Sequence, residues 1–332
     1  MRIRAQCREA AYTLIRTGET SMSIKRIERV TYGVADMAAG IRFFEDIGLE
    51  KLEQGEYGAS FRTPVNQFVH LRNIDDPGLP KAPESGSTVR ETLWGVDSRE
   101  SLDALAAELS RDREVRATPD GVLHTHDETG FAIGFAVSNP TEATFEPHAQ
   151  NGFGRTGRIN RRFEKIPKPQ PLRLAHVVYL IRPEGGDKAC DFYLNRVGLK
   201  LTDAAGHLGK FMRVPGIADH HSLLLMWIRK IPVKFDHIAF EMRGFDDVMS
   251  SGPYMQEKGW KPTWGPGRQP LGCHMFWHFD NPCGGEVEFF TDMDRFDDSW
   301  EPVTWQGSPG SPWTLDDQIP KMEGQARPTA KP

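Results

Sequence analysis

Several things are scarce in this sequence, and each scarcity closes off a class of protein. Its 332 residues hold four cysteines, Cys7, Cys190, Cys273 and Cys283, with no CxxC pair and no secretory spacing. That argues against a disulfide framework and for free thiols in a reducing compartment. No apolar run approaches the ~20 residues that a membrane span needs. Neither sign of charge dominates: 41 Lys and Arg stand against 46 Asp and Glu, a formal charge of −5. No global field therefore draws the chain to nucleic acid or to an anionic membrane, and neither is expected as a partner. The N-terminal stretch 1–22 is rich in Arg but interrupted by Glu9 and Glu19, and it lacks the continuous apolar core of a signal peptide. It reads as a disordered extension, with a transit-like helix as the other reading and Met22 as a second plausible start. A soluble cytoplasmic protein is expected.

What is present is a repeat. A strand at Arg29–Val34 leads into an amphipathic helix from Met37 to Ile47, stopped by Gly48, and then into strands at Tyr57–Arg62 and Gln67–Leu71. The unit is β-α-β-β-β. It returns at Thr92–Val96, with a helix from Ser101 to Leu109 capped near Asp97 or Ser98 and a last strand closing at Phe135. A third copy opens at Arg173–His176, and its Phe192-Tyr193 before Val197-Gly198-Leu199 echoes Phe43-Phe44 before Ile47-Gly48-Leu49. A fourth opens at Phe235–Ile238, has its helix at Phe245 to Lys258, and ends at Glu288. Four copies imply an α+β fold of two paired modules. The expected division is an extension over 1–22, an N-terminal pair over 23–138, a linker over 139–172, a C-terminal pair over 173–294, and a tail or lid over 295–332. The linker carries Pro140, Pro147, Pro167, Pro169 and Pro171 among Arg155, Arg158, Arg161, Arg162 and Lys165. It lacks the interleaved aromatics of a nucleic-acid surface and reads as a solvated or domain-bridging segment.

The chemistry is concentrated where polar groups interrupt apolar strands. His176 lies inside Leu174–Tyr179 and His237 inside Phe235–Phe240. Asn281-Pro282-Cys283-Gly284-Gly285 is turn chemistry, with Pro fixing φ and Gly supplying positive φ. It feeds Glu286-Val287-Glu288-Phe289-Phe290, whose alternation puts Glu286 and Glu288 on one face. Two His and one carboxylate on one sheet face make the triad that suits non-haem Fe(II), with three positions left open. Aligning the first unit with the third sets Tyr32 at His176; aligning the second with the fourth sets Leu93 at His237 and Gly134 at Glu288. On that alignment the C-terminal half holds the full ligand set and the N-terminal half holds none, so one metal per chain is expected. Three other features read as bland. His124 and His126 look like a surface pair, Gly265-Pro266-Gly267 lacks the Lys and Ser/Thr of a phosphate loop, and Glu286 is either a partner of Glu288 or a plain strand residue.

Four βαβββ units, ligands in the third and fourth, the GPGR run at Gly265–Arg268 and the Asn-Pro-x-Gly-x-x-x-Glu ending at Glu288 resemble the vicinal oxygen chelate superfamily. Within it they resemble the type I extradiol ring-cleavage dioxygenases of the homoprotocatechuate kind, from Ile27 to about Trp305. The resemblance implies two paired vicinal-oxygen-chelate modules, Fe(II) or less often Mn(II) on His176, His237 and Glu288, a small aromatic substrate with O2, and a homo-oligomer. It also implies an acid/base His before the second ligand, which points to His221, with His220 beside it as the other candidate. Two positions depart from the family pattern. Gln269 follows GPGR where a His is usual, and His278 stands where a Tyr is usual, ten residues before the Glu ligand. Gln can donate a hydrogen bond but cannot shuttle a proton, whereas His278 can. Trp264 replaces an Arg that would hold a substrate carboxylate, which favours a bulky, apolar phenolic substrate. His274 lies farther off on the same face as His278 and reads as a loop residue. The expected activity is a ring-cleaving dioxygenase. The alternatives are a metal-dependent isomerase, epimerase or lyase on the same fold, and a ligand-sequestering protein.

Overall fold

The computed structural model describes residues 23–206, 208–306 and 311–315. The extension expected over 1–22 lies outside the described residues, as does the tail over 307–310 and beyond residue 315. The architecture is α+β: two large sheets, each with a few short helices, and one two-stranded sheet. Four βαβββ units follow one another along the chain. The first two supply the eight strands of one sheet, between Ile24 and Val137. The last two, with additions from the tail, supply the ten strands of the other.

Within each sheet the opening strands of the two units lie side by side and antiparallel. Ile24–Val34 pairs with Thr88–Val96, and Arg173–Ile181 pairs with Lys234–Glu241. The closing strand of each even-numbered unit then runs parallel to that unit's opening strand: Ala132–Val137 beside Thr88–Val96, and Glu286–Thr291 beside Lys234–Glu241. Local chemistry sets the helix starts. The Asp36 carboxylate accepts from the Ala39 backbone N–H at 2.9 Å and caps Met37–Asp46. The Ser98 hydroxyl does the same for Ser101 and caps Arg99–Leu109. Such side chains satisfy donors that the first helical turn leaves free.

One apolar core runs through both halves. It takes Tyr32, Phe43, Phe44 and Trp94 from the first half and Tyr179, Phe192, Phe235 and Phe289 from the second. Polar contacts cross between the halves inside it. The Gln67 amide donates to the carbonyls of Ile27 and Leu174, each at 2.7 Å, and accepts from the Leu174 N–H. The Thr92 and Tyr179 hydroxyls meet at 2.6 Å. Buried polar groups satisfied in this way fix relative position as well as adding stability.

Residues 139–172 cross from one sheet to the other with no strand or helix of their own. The described part of the tail adds short strands to the C-terminal half: Arg295–Phe296 beside Ala218–Asp219, Val303–Trp305 beside Lys200–Ala205, and Trp313–Thr314 beside Pro262–Arg268. No helix among the described residues is long and apolar enough to cross a membrane.

Candidate metal centre

The C-terminal sheet has two unlike faces. Ile238, Phe240, Val287, Phe289 and Phe279 point into the main core, whereas Ala239, Phe276 and Phe290 form a separate apolar cluster on the other side. On that second face lie the candidate ligands. Ala239 stands opposite His176 on one neighbouring strand and opposite Glu288 on the other, so the three positions lie in a row across the sheet. His237, two residues before Ala239, shares its face by strand alternation. The small methyl of Ala239 leaves the space over the row open.

The three side chains converge. His176 Nε2 lies 2.9 Å from Glu288 Oε2, His237 Nε2 lies 3.4 Å from the same oxygen, and the two imidazole nitrogens are 3.4 Å apart. All the ligand atoms fall within 4.8 Å of one another, and all three residues are buried. Two imidazole nitrogens and a carboxylate oxygen, drawn together with little else to justify burying them, are a donor set that fits a divalent ion. Their outer contacts favour the same use. His237 Nδ1 is tied to Asp236 Oδ2 at 2.8 Å, which turns Nε2 inward, and His274 Nε2 holds Glu288 Oε1 at 3.0 Å, which leaves Oε2 for the convergence point. Partners of this kind orient metal ligands. His176 Nδ1 has no hydrogen-bond partner among the described residues.

The electrostatics follow from burial and neighbours. Burial lowers the His176 pKa to about 4, against a smaller opposing pull from Glu288. Burial also works to lower that of His237, but Asp236 and Glu288 outweigh it and raise the value to about 10. Burial alone would raise Glu288. The surrounding His274 and His278 and the bonds from His176 and His237 instead hold it well below the usual carboxylate range. Glu288 therefore presents a negative oxygen at the point where the three side chains converge.

Around the triad, His221 packs its ring on that of His176, with centroids 4.2 Å apart. His220 is turned the other way. Its Nε2 meets Asp203 Oδ2 and its Nδ1 meets His221 Nδ1, each at 3.0 Å. Burial lowers the pKa of both. His278 Nδ1 bonds Glu286 Oε2 at 2.9 Å, and its Nε2 lies 3.7 Å from Glu288 Oε1. The two readings left open for Glu286 thus resolve into a contact one step removed, through His278. Gln269 is half-buried, and its side chain makes no hydrogen bond among the described residues; its backbone N–H donates to the His274 carbonyl at 2.8 Å. Trp264 lies against Phe276 and His278, with centroids 4.3 and 5.3 Å away.

Three sequence readings need correction. His274 is a loop residue just before Met275–Asp280, as expected, but it is not distant: it is buried and bonded to Glu288. His124 is not a bland surface group, because its Nδ1 bonds the buried Glu91 carboxylate at 2.5 Å. The repeat register also shifts. In the N-terminal sheet Leu93 stands opposite Arg29 and Gly134, as Ala239 stands opposite His176 and Glu288. Arg29, not Tyr32, is therefore the counterpart of His176, and Glu91, not Leu93, is the counterpart of His237. Tyr32 belongs to the opposite, core-facing side. The intervals are unequal: Arg29 and Glu91 are 62 residues apart where His176 and His237 are 61 apart, so a match on equal spacing selects the wrong residues.

Comparison with known proteins agrees with this architecture. Residues 173–289 match the Glyoxalase/Bleomycin resistance protein/Dioxygenase superfamily. The chain resembles the vicinal oxygen chelate proteins, and the extradiol dioxygenases among them. In particular, it is 29% identical over 275 residues to Metapyrocatechase 2 of Cupriavidus necator, covering 82% of each chain. Two solved structures share the fold at lower identity. A Mn(II)-bound glyoxalase from Novosphingobium aromaticivorans has a TM-score of 0.67 and 21% identity, over 89% of this chain and 98% of that one. A single-residue variant of the homoprotocatechuate 2,3-dioxygenase of B. fuscum has a TM-score of 0.66 and 17% identity, over 86% of this chain and 76% of that one.

Proposed function

We propose that this chain is an extradiol-type dioxygenase that opens a catecholic or related phenolic ring with O2, using a divalent ion, Fe(II) before Mn(II), held by His176, His237 and Glu288. The convergence of those three side chains on one buried point carries the reading. Metapyrocatechase 2, similar over most of both chains, supports the oxygenase class. When bound, the ion supplies Lewis acidity and open positions at which a diol and O2 can be held side by side.

The chain's own residues do the remaining work. His274 holds Oε1 of Glu288 so that Oε2 points to the ion, and Asp236 fixes the ring of His237. His221, beside His176, takes the proton of a substrate hydroxyl: the O–H bond breaks, an N–H bond forms on its imidazole, and the proton is later returned to product oxygen. His278 is a second proton carrier. With Nδ1 tied to Glu286, it directs Nε2 toward Glu288 and the centre, and it supplies the proton transfer that Gln269, able only to hydrogen-bond, cannot. Trp264, Phe276 and Phe290 form an apolar cluster on the face that carries the ligands, which favours an uncharged aromatic. A homo-oligomer is the expected assembly.

A second reading, in which the ion polarises a carbonyl or enediolate and no O2 is used, is favoured by the fold shared with the Mn(II)-bound glyoxalase. Anaerobic reconstitution with Fe(II), followed by oxygen-electrode assays over catechols and hydroxylated biaryls, separates the two. Oxygen uptake stoichiometric with substrate supports the dioxygenase. One bound iron per chain with no uptake across the panel would replace it with the non-oxygenase reading.

A further inference from the structure

The geometry points to a hydrogen-bond relay, Asp203 to His220 to His221, that fixes which nitrogen of His221 lies bare beside the metal centre. The inference rests on the proposed role of that centre, but it concerns the order of protons among neutral groups and invokes no change of charge.

The relay begins 17 residues before His220, on the strand Lys200–Ala205. Asp203 is buried, and both its oxygens are engaged: Oδ1 accepts from the Val303 backbone N–H at 3.2 Å, and Oδ2 faces His220 Nε2 at 3.0 Å. A carboxylate can only accept, so the shared proton sits on His220 Nε2. Burial keeps His220 neutral at neutral pH, and a neutral imidazole with a protonated Nε2 has a bare Nδ1. That bare nitrogen faces His221 Nδ1 at 3.0 Å, and the bond between them needs one proton, which only His221 can supply. His221 is then protonated on Nδ1 and bare on Nε2. Among the described residues, no group takes a hydrogen bond from or gives one to that Nε2.

The relay is held rigidly. The His220 ring packs edge-on to Phe211 and Phe296, at 5.0 and 5.9 Å between centroids. On the remaining side, a Cβ on Gly272 would come within 3.1 Å of the His220 ring. The strand Arg295–Phe296 and the Val303 N–H both come from the tail, so the tail holds two of the relay's contacts. Asp203 and His220 are positioning residues in this scheme; neither touches substrate.

Asp203→Asn tests it with unusual directness. The Val303 N–H keeps the Asn oxygen on its own side, so the amide nitrogen must face His220 Nε2. The proton order then reverses along the whole relay and leaves His221 protonated on Nε2. The measurement is the 15N tautomer of His221 in the metal-free, histidine-labelled chain, assigned with His221→Phe. The expected result is protonation on Nδ1 in the wild type and on Nε2 in Asp203→Asn. In the iron-loaded variant, kcat should fall roughly 10²-fold while KM and metal content hold, the usual scale for losing general-base help. Protonation of His221 on Nε2 in the wild type, or no change in the variant, overturns the relay. Should Asp203→Asn fail to fold, His220→Phe keeps the packing and removes the acceptor, and both tautomers of His221 should then be populated; a single unchanged tautomer overturns the relay. A chain with the expected tautomers that consumes no oxygen with any catechol would sink the dioxygenase reading and leave the relay standing.

Discussion

The two sheets of this protein share one plan and have opposite centres. In the C-terminal sheet the row across the middle is His176, Ala239 and Glu288, with His237 beside it and His278 opposite Glu288. In the N-terminal sheet the same row is Arg29, Leu93 and Gly134, with Glu91 beside it and His124 opposite Gly134. Three donors that can share a cation are thus matched by an internal ion pair, Arg29 Nη2 to Glu91 Oε2 at 3.2 Å, closed by His124. The N-terminal half carries its own positive charge in place of an ion. A buried carboxylate needs a counter-charge in either half, and the two halves supply it in different currencies.

The largest effect should come from the ligands. His176→Ala, His237→Ala and Glu288→Ala should each lose bound metal and at least ~10²-fold in turnover, beyond the roughly 10- to 100-fold typical of outer partners. Metal analysis checks it, and one retained equivalent of iron in any of the three would mean the triad is misassigned. Two tight ions per wild-type chain would erase the contrast between the sheets.

His278→Phe should lower turnover by roughly 10²-fold with metal content unchanged. Steady-state kinetics beside metal analysis reads this, and normal turnover would return His278 to a packing role. A step smaller, Asp236→Asn and His274→Phe should weaken metal affinity by about 10- to 100-fold while leaving one site per chain. Competition with a chelator measures it. An unchanged affinity in His274→Phe would show that its bond to Glu288 is incidental.

The smallest effect belongs to the N-terminal centre. Glu91→Gln should leave metal stoichiometry and turnover alone but cost about 1–3 kcal/mol of stability, the scale for breaking a charged buried bond. Burial would raise the Glu91 pKa, yet the bonds from His124 and Arg29 outweigh it and lower the value. Its contribution is therefore fully present above the ordinary glutamate range near ~4.3 and is lost as pH falls through the depressed folded value. Urea denaturation at about pH 7 and about pH 3, on either side of that range, should show the wild type and Glu91→Gln converging at the lower pH. A constant gap would mean that the ion pair contributes nothing specific.

How much of this could be read in advance depends on how local the signal is. The four units were legible because each repeats its own helix stop and strand alternation, and the triad stood out as polar residues inside apolar strands. The face of His274 was legible but its bond to Glu288 was not, because it sits just before the strand Met275–Asp280, after a turn in which Cys273 takes a φ of 54°. The Asp203 contact to His220 is set by how strands pair, and no short-range pattern announces it. The mistaken match of Tyr32 to His176 came from assuming equal intervals, whereas the paired counterparts Arg29 and Glu91 are 62 residues apart and His176 and His237 are 61 apart. Pairing between strands is the information that one sequence carries most faintly.

The turn that delivers Glu288 has a further consequence. Gly284 has a φ of 104°, and a Cβ there would lie 2.1 Å from the carbonyl oxygen of Ser87, in the other half of the chain. Nearby, Glu84 accepts from the Phe235 backbone N–H at 2.8 Å, at the start of the strand that carries His237. Two of the three ligand strands are thus registered against the loop over residues 84–88, which has no ligand of its own. The N-terminal half works as a jig for the half that gathers the three candidate ligands. A chimera that joined this C-terminal half to a relative's N-terminal half would have to carry that loop along with the ligands it aligns.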